Sequence, residues 1–295
     1  MSLSKIPVIL IGAVSLCVSG CDKTASSGAN DQGVASGVAS TANQLDAYID
    51  AHNELIGPFG FYERATNYRE ADVAYAPIDG QFLVGDGSIE TGIKQLKEAR
   101  AMSGAPADIN AAADALIGSM SKVQAHLAEL EPYYDSKAYM DDKLARGRKE
   151  DSRMLAEIDA ADRDLTRFSD LIDRDMVKRE TATLETLKAK GELLEYNSRL
   201  AMFHAKALMT VFRGSQGRDT SVSVFPRADA EVAAIEKAIA GAHAAAAKAG
   251  QKDPSELGLL SSMLGSYRSF KKDGRPVDAK QMLSSYNSAV QIANR

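Results

Sequence analysis

PADINAAADALIGSMSKVQAHLAELEP, Pro106 to Pro132, is the stretch that decides the fold. Its apolar residues Ile109, Ala113, Leu116, Met120, Val123, Leu127 and Leu130 recur at alternating spacings of four and three. A 3.6-residue period stacks such positions into one narrow stripe, the seam by which helix packs on helix. Pro106 opens the helix and Pro132 is expected to break it.

The same period continues on both sides. Downstream, a second long helix is expected from about Ser136, through Leu144, Leu155, Ile158, Leu165, Phe168, Ile172 and Met176. Charges of both signs in DAADRDLTRFSDLIDRD form its solvated face, and Gly191 is a joint. Further helices are read over Glu192 to Phe212 and Asp229 to Lys248, the second ended by Gly250. Asp253-Pro254-Ser255-Glu256 starts the next one with Asp253 as cap, and Asp273-Gly274 ends it. A last helix runs from Val277 to Ile292. Upstream, helices are read from Asn43 to Gly57, Tyr62 to Ala71 and Ser88 to Met102. The irregular segment Phe59 to Gly87 leaves room for a brief strand pair. The fold class is all-α: an elongated, mostly antiparallel helical bundle.

The N-terminus reads differently. Lys5 precedes an apolar run, Ile6 to Val18, that contains no acid. Spanning about 30 Å of hydrocarbon takes about 20 apolar residues, so the run suits a signal peptide instead. It ends in Val18-Ser19-Gly20-Cys21, which resembles the bacterial lipobox. That resemblance implies cleavage after Gly20 and a diacylglyceryl group on the Cys21 sulfur. Asp22 resembles the residue that retains lipoproteins on the inner membrane. The resulting division is a signal peptide over 1–20, a lipidated cysteine and flexible tether over 21–42, and a helical domain over 43–295. The tether's reach is roughly 25 Å. Cys17, the only other cysteine, leaves with the signal peptide. The mature chain then holds no disulfide and relies on burial alone.

Composition excludes some functions. There are 35 Lys and Arg against 40 Asp and Glu, a net charge of -5, which gives no electrostatic footprint for nucleic acid. His52, His126, His204 and His243 form no His-Glu-x-x-His, so no metal site and no cofactor is assigned. Gly241-x-His243 resembles part of the G-x-H-x-x-E of imelysin-like envelope proteins, but position 246 is Ala. Asp141-Asp142 read either as paired acids or as carboxylates favoured at a helix start. Gly85-Asp86-Gly87 reads as a turn.

ELEPYYDSKAYMDDKLARGRKED, Glu129 to Asp151, resembles the signature of the YiiG-like family of bacterial lipoproteins, a domain of unknown function. The matching residues are Tyr133, Tyr134, Tyr139, Asp142, and Gly147 between Arg146 and Arg148. Tyr196-Asn197 and Tyr286-Asn287 repeat a further pair of that pattern. The resemblance implies a helical lipoprotein body without an established activity. Two functions stay open: a non-enzymatic, periplasm-facing protein that binds a protein or envelope component, and a binder of a small molecule or metal. In the second, Tyr133, Tyr134, Tyr139 and Asp142 line a ligand surface. The competing reading of the tyrosines is that they staple a helix corner.

Overall fold

The computed structural model describes residues 32–57, 59–78, 80, 82, 88–213 and 224–293. Among them lie nine α-helices: α1 (Gln32–Ile56), α2 (Phe61–Ala71), α3 (Ser88–Ala101), α4 (Ala107–Asp135), α5 (Ala145–Lys190), α6 (Leu193–Arg213), α7 (Val224–Ala249), α8 (Glu256–Asp273) and α9 (Pro276–Ala293). A short 3-10 turn, Ala138–Met140, lies between α4 and α5. No strand occurs among the described residues, and the chain is all-α. The lipobox, Asp22 and Gly85-Asp86-Gly87 lie outside the described residues. The expected tether falls among them in part, because α1 is helical from Gln32 rather than Asn43.

Pro132 does not break α4. It sits in the helix's last turn, where its missing N–H costs one hydrogen bond and little helix remains to disrupt. The second long helix then starts at Ala145, nine residues later than expected, and runs without interruption to Lys190. Gly191, Gly250 and Gly274 take the left-handed backbone, φ 75, 63 and 65°, at the ends read from sequence. Asp253 does not cap α8. Its carboxylate lies 2.9 Å from His243 Nδ1, and the N-cap is Ser255, which makes no side-chain bond. Helix α7 begins earlier than expected, at Val224, with Pro226 in its first turn.

The chain divides into two compact units, with the division inside α5 between Asp175 and Met176. In the N-terminal unit, the seam of α4 is buried from Ile109 to Leu130, beside Tyr48, Leu55, Ile93, Ile158 and Phe168. Tyr48 and Phe168 meet edge to face at 5.4 Å. Helix α1 lies so close to α3 that a Cβ on Gly92 would fall 2.5 Å from Leu55 Cδ2. Helices α4 and α5 run antiparallel: Asp108 meets Arg174 at one end, and His126 meets Glu157 nearer the other.

In the C-terminal unit, α6 packs along α7 and α8 along α9. Ala201, Leu208, Ile235, Leu260, Met263 and Tyr286 belong to one buried cluster. Ala residues on α7 let its neighbours approach closely, and Phe212, Phe225, Tyr267 and Phe270 stack beside them. A hydrogen bond between His204 and Glu231 ties α6 to α7, and the ion pair Arg268–Glu236 ties α7 to α8.

Candidate functional site

The corner between α4 and α5 brings the four residues singled out by sequence into one place. The end of α4 is closed by Ser136, whose N–H and Oγ both donate to the Pro132 carbonyl, at 3.2 and 2.6 Å. The chain reverses through Lys137, Lys143 and Leu144, all at positive φ of 57, 54 and 63°. Asp142 then caps α5: its Oδ2 accepts the Arg146 N–H at 3.0 Å, satisfying a donor left orphaned at the helix start. Its Oδ1 accepts the Tyr133 hydroxyl at 2.8 Å. Some loss of solvation pushes the exposed Asp142 carboxyl up, but the donors from Arg146, Tyr133, Ala145 and Leu144 outweigh it and hold it below the usual range.

Tyr133, Tyr134 and Tyr139 are buried, at 5, 3 and 5 % exposure, so they line no open surface. Their rings form a cluster with Phe82. Tyr134 lies 5.0 Å from Tyr133 and 5.3 Å from Phe82, and Tyr139 lies 5.2 Å from Phe82. Tyr139 Oη donates to the Gly80 carbonyl at 3.3 Å. Arg146 covers the Tyr133 ring at 5.5 Å and pairs with Glu129. The stapled corner is what the structure holds. Burial, with the Asp142 contact, pushes the Tyr133 phenol up to about 12, and burial raises Tyr134 as well. Both phenols therefore stay protonated at neutral pH, and the Tyr133 hydroxyl is the one that donates, to Asp142.

Sequence reasoning gave no structural role to three participants. Tyr68 Oη donates to Asp151 Oδ1 at 3.1 Å, inside the core. Burial raises the Asp151 carboxyl, against the pull of that hydrogen bond, and the Asp72 charge adds to the rise. Gly147 is the closest approach of α5 to the cluster: a Cβ there would lie 2.6 Å from Tyr134 Oη. His126 is the third. Its side chain is wholly buried, with Nδ1 2.9 Å from Glu157 and Nε2 3.6 Å from Glu150. The only sequence signal for it was its place beside Leu127 in the α4 seam. Glu157 also receives Arg153 Nε at 3.0 Å.

The remaining polar groups are spread over the helix faces. His52 meets Ser169 at 2.6 Å, and His204 Nδ1 lies 2.8 Å from Glu231. Among the described residues, no group of three or more His, Cys, Asp and Glu side chains is placed to hold a metal ion. Likewise, no described helix is long and apolar enough to cross a membrane.

Two helical units and a corner closed by buried tyrosines define an all-α bundle protein. The family model described as protein of unknown function (DUF3829) matches residues 39–291, and the chain belongs to that family. Searches among curated proteins and among solved structures gave no match.

Proposed function

We propose that this protein is a lipid-anchored component of a bacterial cell envelope, facing the periplasm, with a non-enzymatic binding or scaffold role. Val18-Ser19-Gly20-Cys21, after a short apolar run with one preceding lysine, carries the reading. Small residues let a peptidase hold the extended backbone closely, and the Cys21 sulfur accepts the lipid. The YiiG-like signature of Glu129 to Asp151 points to the same class of lipoproteins. The binding role draws support from the corner, where Tyr133 and Asp142 are spent on holding a turn and capping a helix. Asp22 favours retention on the inner membrane.

One acyl chain binds a bilayer marginally, at about 0.8 kcal/mol per buried CH₂, and two or more make release negligible. Cys21→Ala is expected to accumulate as an unprocessed precursor that takes up no radioactive palmitate. Labelling of the Ala variant would overturn the anchor. Asp22→Ser is expected to move the protein outward in membrane fractionation. Wild-type protein in the outer membrane would overturn the sorting role alone.

A further inference from the structure

Nothing in the role proposed above uses His126, whose side chain on α4 is wholly buried. Val123 and Leu127 flank it on its own helix, and Met154 and Ile158 lie between and beside its partners on α5, all of them buried. Two carboxylates of α5 close on the ring from its two sides. Glu157 Oε2 lies 2.9 Å from Nδ1, and Glu150 Oε2 lies 3.6 Å from Nε2. Both glutamates are mostly buried, at 17 and 21 % side-chain exposure. Arg153 stands outside them, giving Nε to Glu157 at 3.0 Å and bringing Nη1 within 3.8 Å of Glu150. Among the described residues, no side chain of α1, α2 or α3 forms a hydrogen bond or ion pair with His126. On α4 itself, Lys122 and Glu129 lie one turn to either side; both are exposed, and Glu129 is turned to Arg146.

Whether the ring carries one proton or two decides if this arrangement is satisfied. A neutral imidazole donates from one nitrogen and accepts at the other. With the Nδ1 proton given to Glu157, the Nε2 lone pair would face the Glu150 carboxylate, acceptor against acceptor. Nε2 is buried and has no hydrogen-bond partner among the described residues. The charges point the same way. Two carboxylates against one guanidinium leave a negative charge uncompensated at the ring, and a buried charge without a partner is costly. An imidazolium donates from both nitrogens and balances that charge. Bringing Glu150 into hydrogen-bond range of Nε2 takes a shift of only about 0.6 Å.

We propose that His126 is a proton-held clasp of the N-terminal unit, an imidazolium bound between Glu150 and Glu157 that ties α4 to α5 and lets go as pH rises. The imidazole of the unfolded chain has an ordinary value near 6.5 and gives up its proton in mildly alkaline solution. A proton bound by the folded state and released by the unfolded one adds stability at acid pH, and that stability is lost as pH climbs. The device depends neither on the lipid anchor nor on the binding role.

The test uses full-length acylated protein in detergent, with the ring nitrogens of its four histidines isotopically labelled. The resonance that His126→Gln removes belongs to His126. At about pH 7.5 an unperturbed imidazole is about 90 % neutral, whereas the His126 ring should show two protonated nitrogens. Glu150→Gln is the second variant, because its amide N–H can donate to a neutral Nε2, and it should return the ring to the neutral form. If His126→Gln does not fold, the resonance that Glu150→Gln shifts identifies the ring instead. Between about pH 6 and about pH 9 the urea midpoint should fall further for the wild type than for Glu150→Gln. That difference isolates His126 from His204 and His243, which also lie beside carboxylates. A neutral wild-type ring at about pH 7.5, or equal losses of urea midpoint in the two proteins, overturns the proposal.

Discussion

Gly147→Ala tests the corner directly. The new Cβ would lie 2.6 Å from Tyr134 Oη, 3.4 Å from Val73 Cγ1 and 3.5 Å from Leu144 Cδ2. The first contact is far inside van der Waals range. Tyr134 cannot swing aside, because its ring sits among Tyr133, Tyr139 and Phe82 at 5.0 to 6.0 Å. Overpacking of this kind costs about 1–3 kcal/mol, and replacing Gly by Ala in a helix returns at most about 1 kcal/mol. The net expectation is a loss of about 1–2 kcal/mol in urea unfolding followed by far-ultraviolet circular dichroism.

A second substitution isolates the cause. Tyr134 Oη is buried and has no hydrogen-bond partner among the described residues, so Tyr134→Phe alone should be neutral or mildly stabilising. In the Tyr134→Phe background, Gly147→Ala should cost markedly less than in the wild type, a coupling that a double-mutant cycle reads. Gly118→Ala on α4, where a Cβ meets nothing within 4 Å, should stabilise instead. Equal stability of Gly147→Ala and wild type, or an undiminished cost without the hydroxyl, would refute the stapled corner.

Other expectations concern pH and the C-terminal unit. Asp151 has a raised carboxyl, so its ionisation opposes folding as pH climbs through the folded value. Asp151→Asn should therefore gain on the wild type above about pH 4, and parallel pH profiles would contradict this. Asp142 has the opposite sign: its contribution is present above the unfolded value and is lost as pH falls through the lowered one. Asp142→Asn should thus flatten the acid limb of stability below about pH 4. Arg199 grips Glu180 with two bonds of 2.9 and 2.8 Å in a largely buried setting. A lysine cannot reproduce that fork, so Arg199→Lys should cost about 1 kcal/mol, and an unchanged urea midpoint would count against it.

The parts of this fold that were legible in sequence are those set by local periodicity. Ile109, Leu116, Met120, Val123 and Leu130 are buried because a 3.6-residue period leaves them no other face. Gly191, Gly250 and Gly274 end helices because glycine tolerates positive φ without steric cost. What failed depended on partners distant in sequence. Asp253 carries a capping pattern, yet its carboxylate serves His243, ten residues back on α7. The start of α5 at Ala145 follows two non-glycine residues in left-handed backbone, Lys143 and Leu144, a conformation that their types give no reason to expect. His126 gave little sign of burial because Glu150 and Glu157, which accommodate it, lie on another helix.

The tyrosines show most clearly where sequence runs out. A tyrosine has an apolar ring and a polar tip, so its presence in a motif does not say which of the two the fold uses. Here it uses both. The rings of Tyr133, Tyr134 and Tyr139 fill the corner, while the Tyr133 hydroxyl donates to Asp142 and lies 3.4 Å from the Gly147 N–H at the start of α5. A leucine could fill the same volume but could not reach the cap. The aromatic signature therefore fixes the corner from within. Lys137 and Lys143 are held there at positive φ, beside exposed Met140, by the turn that the tyrosines close.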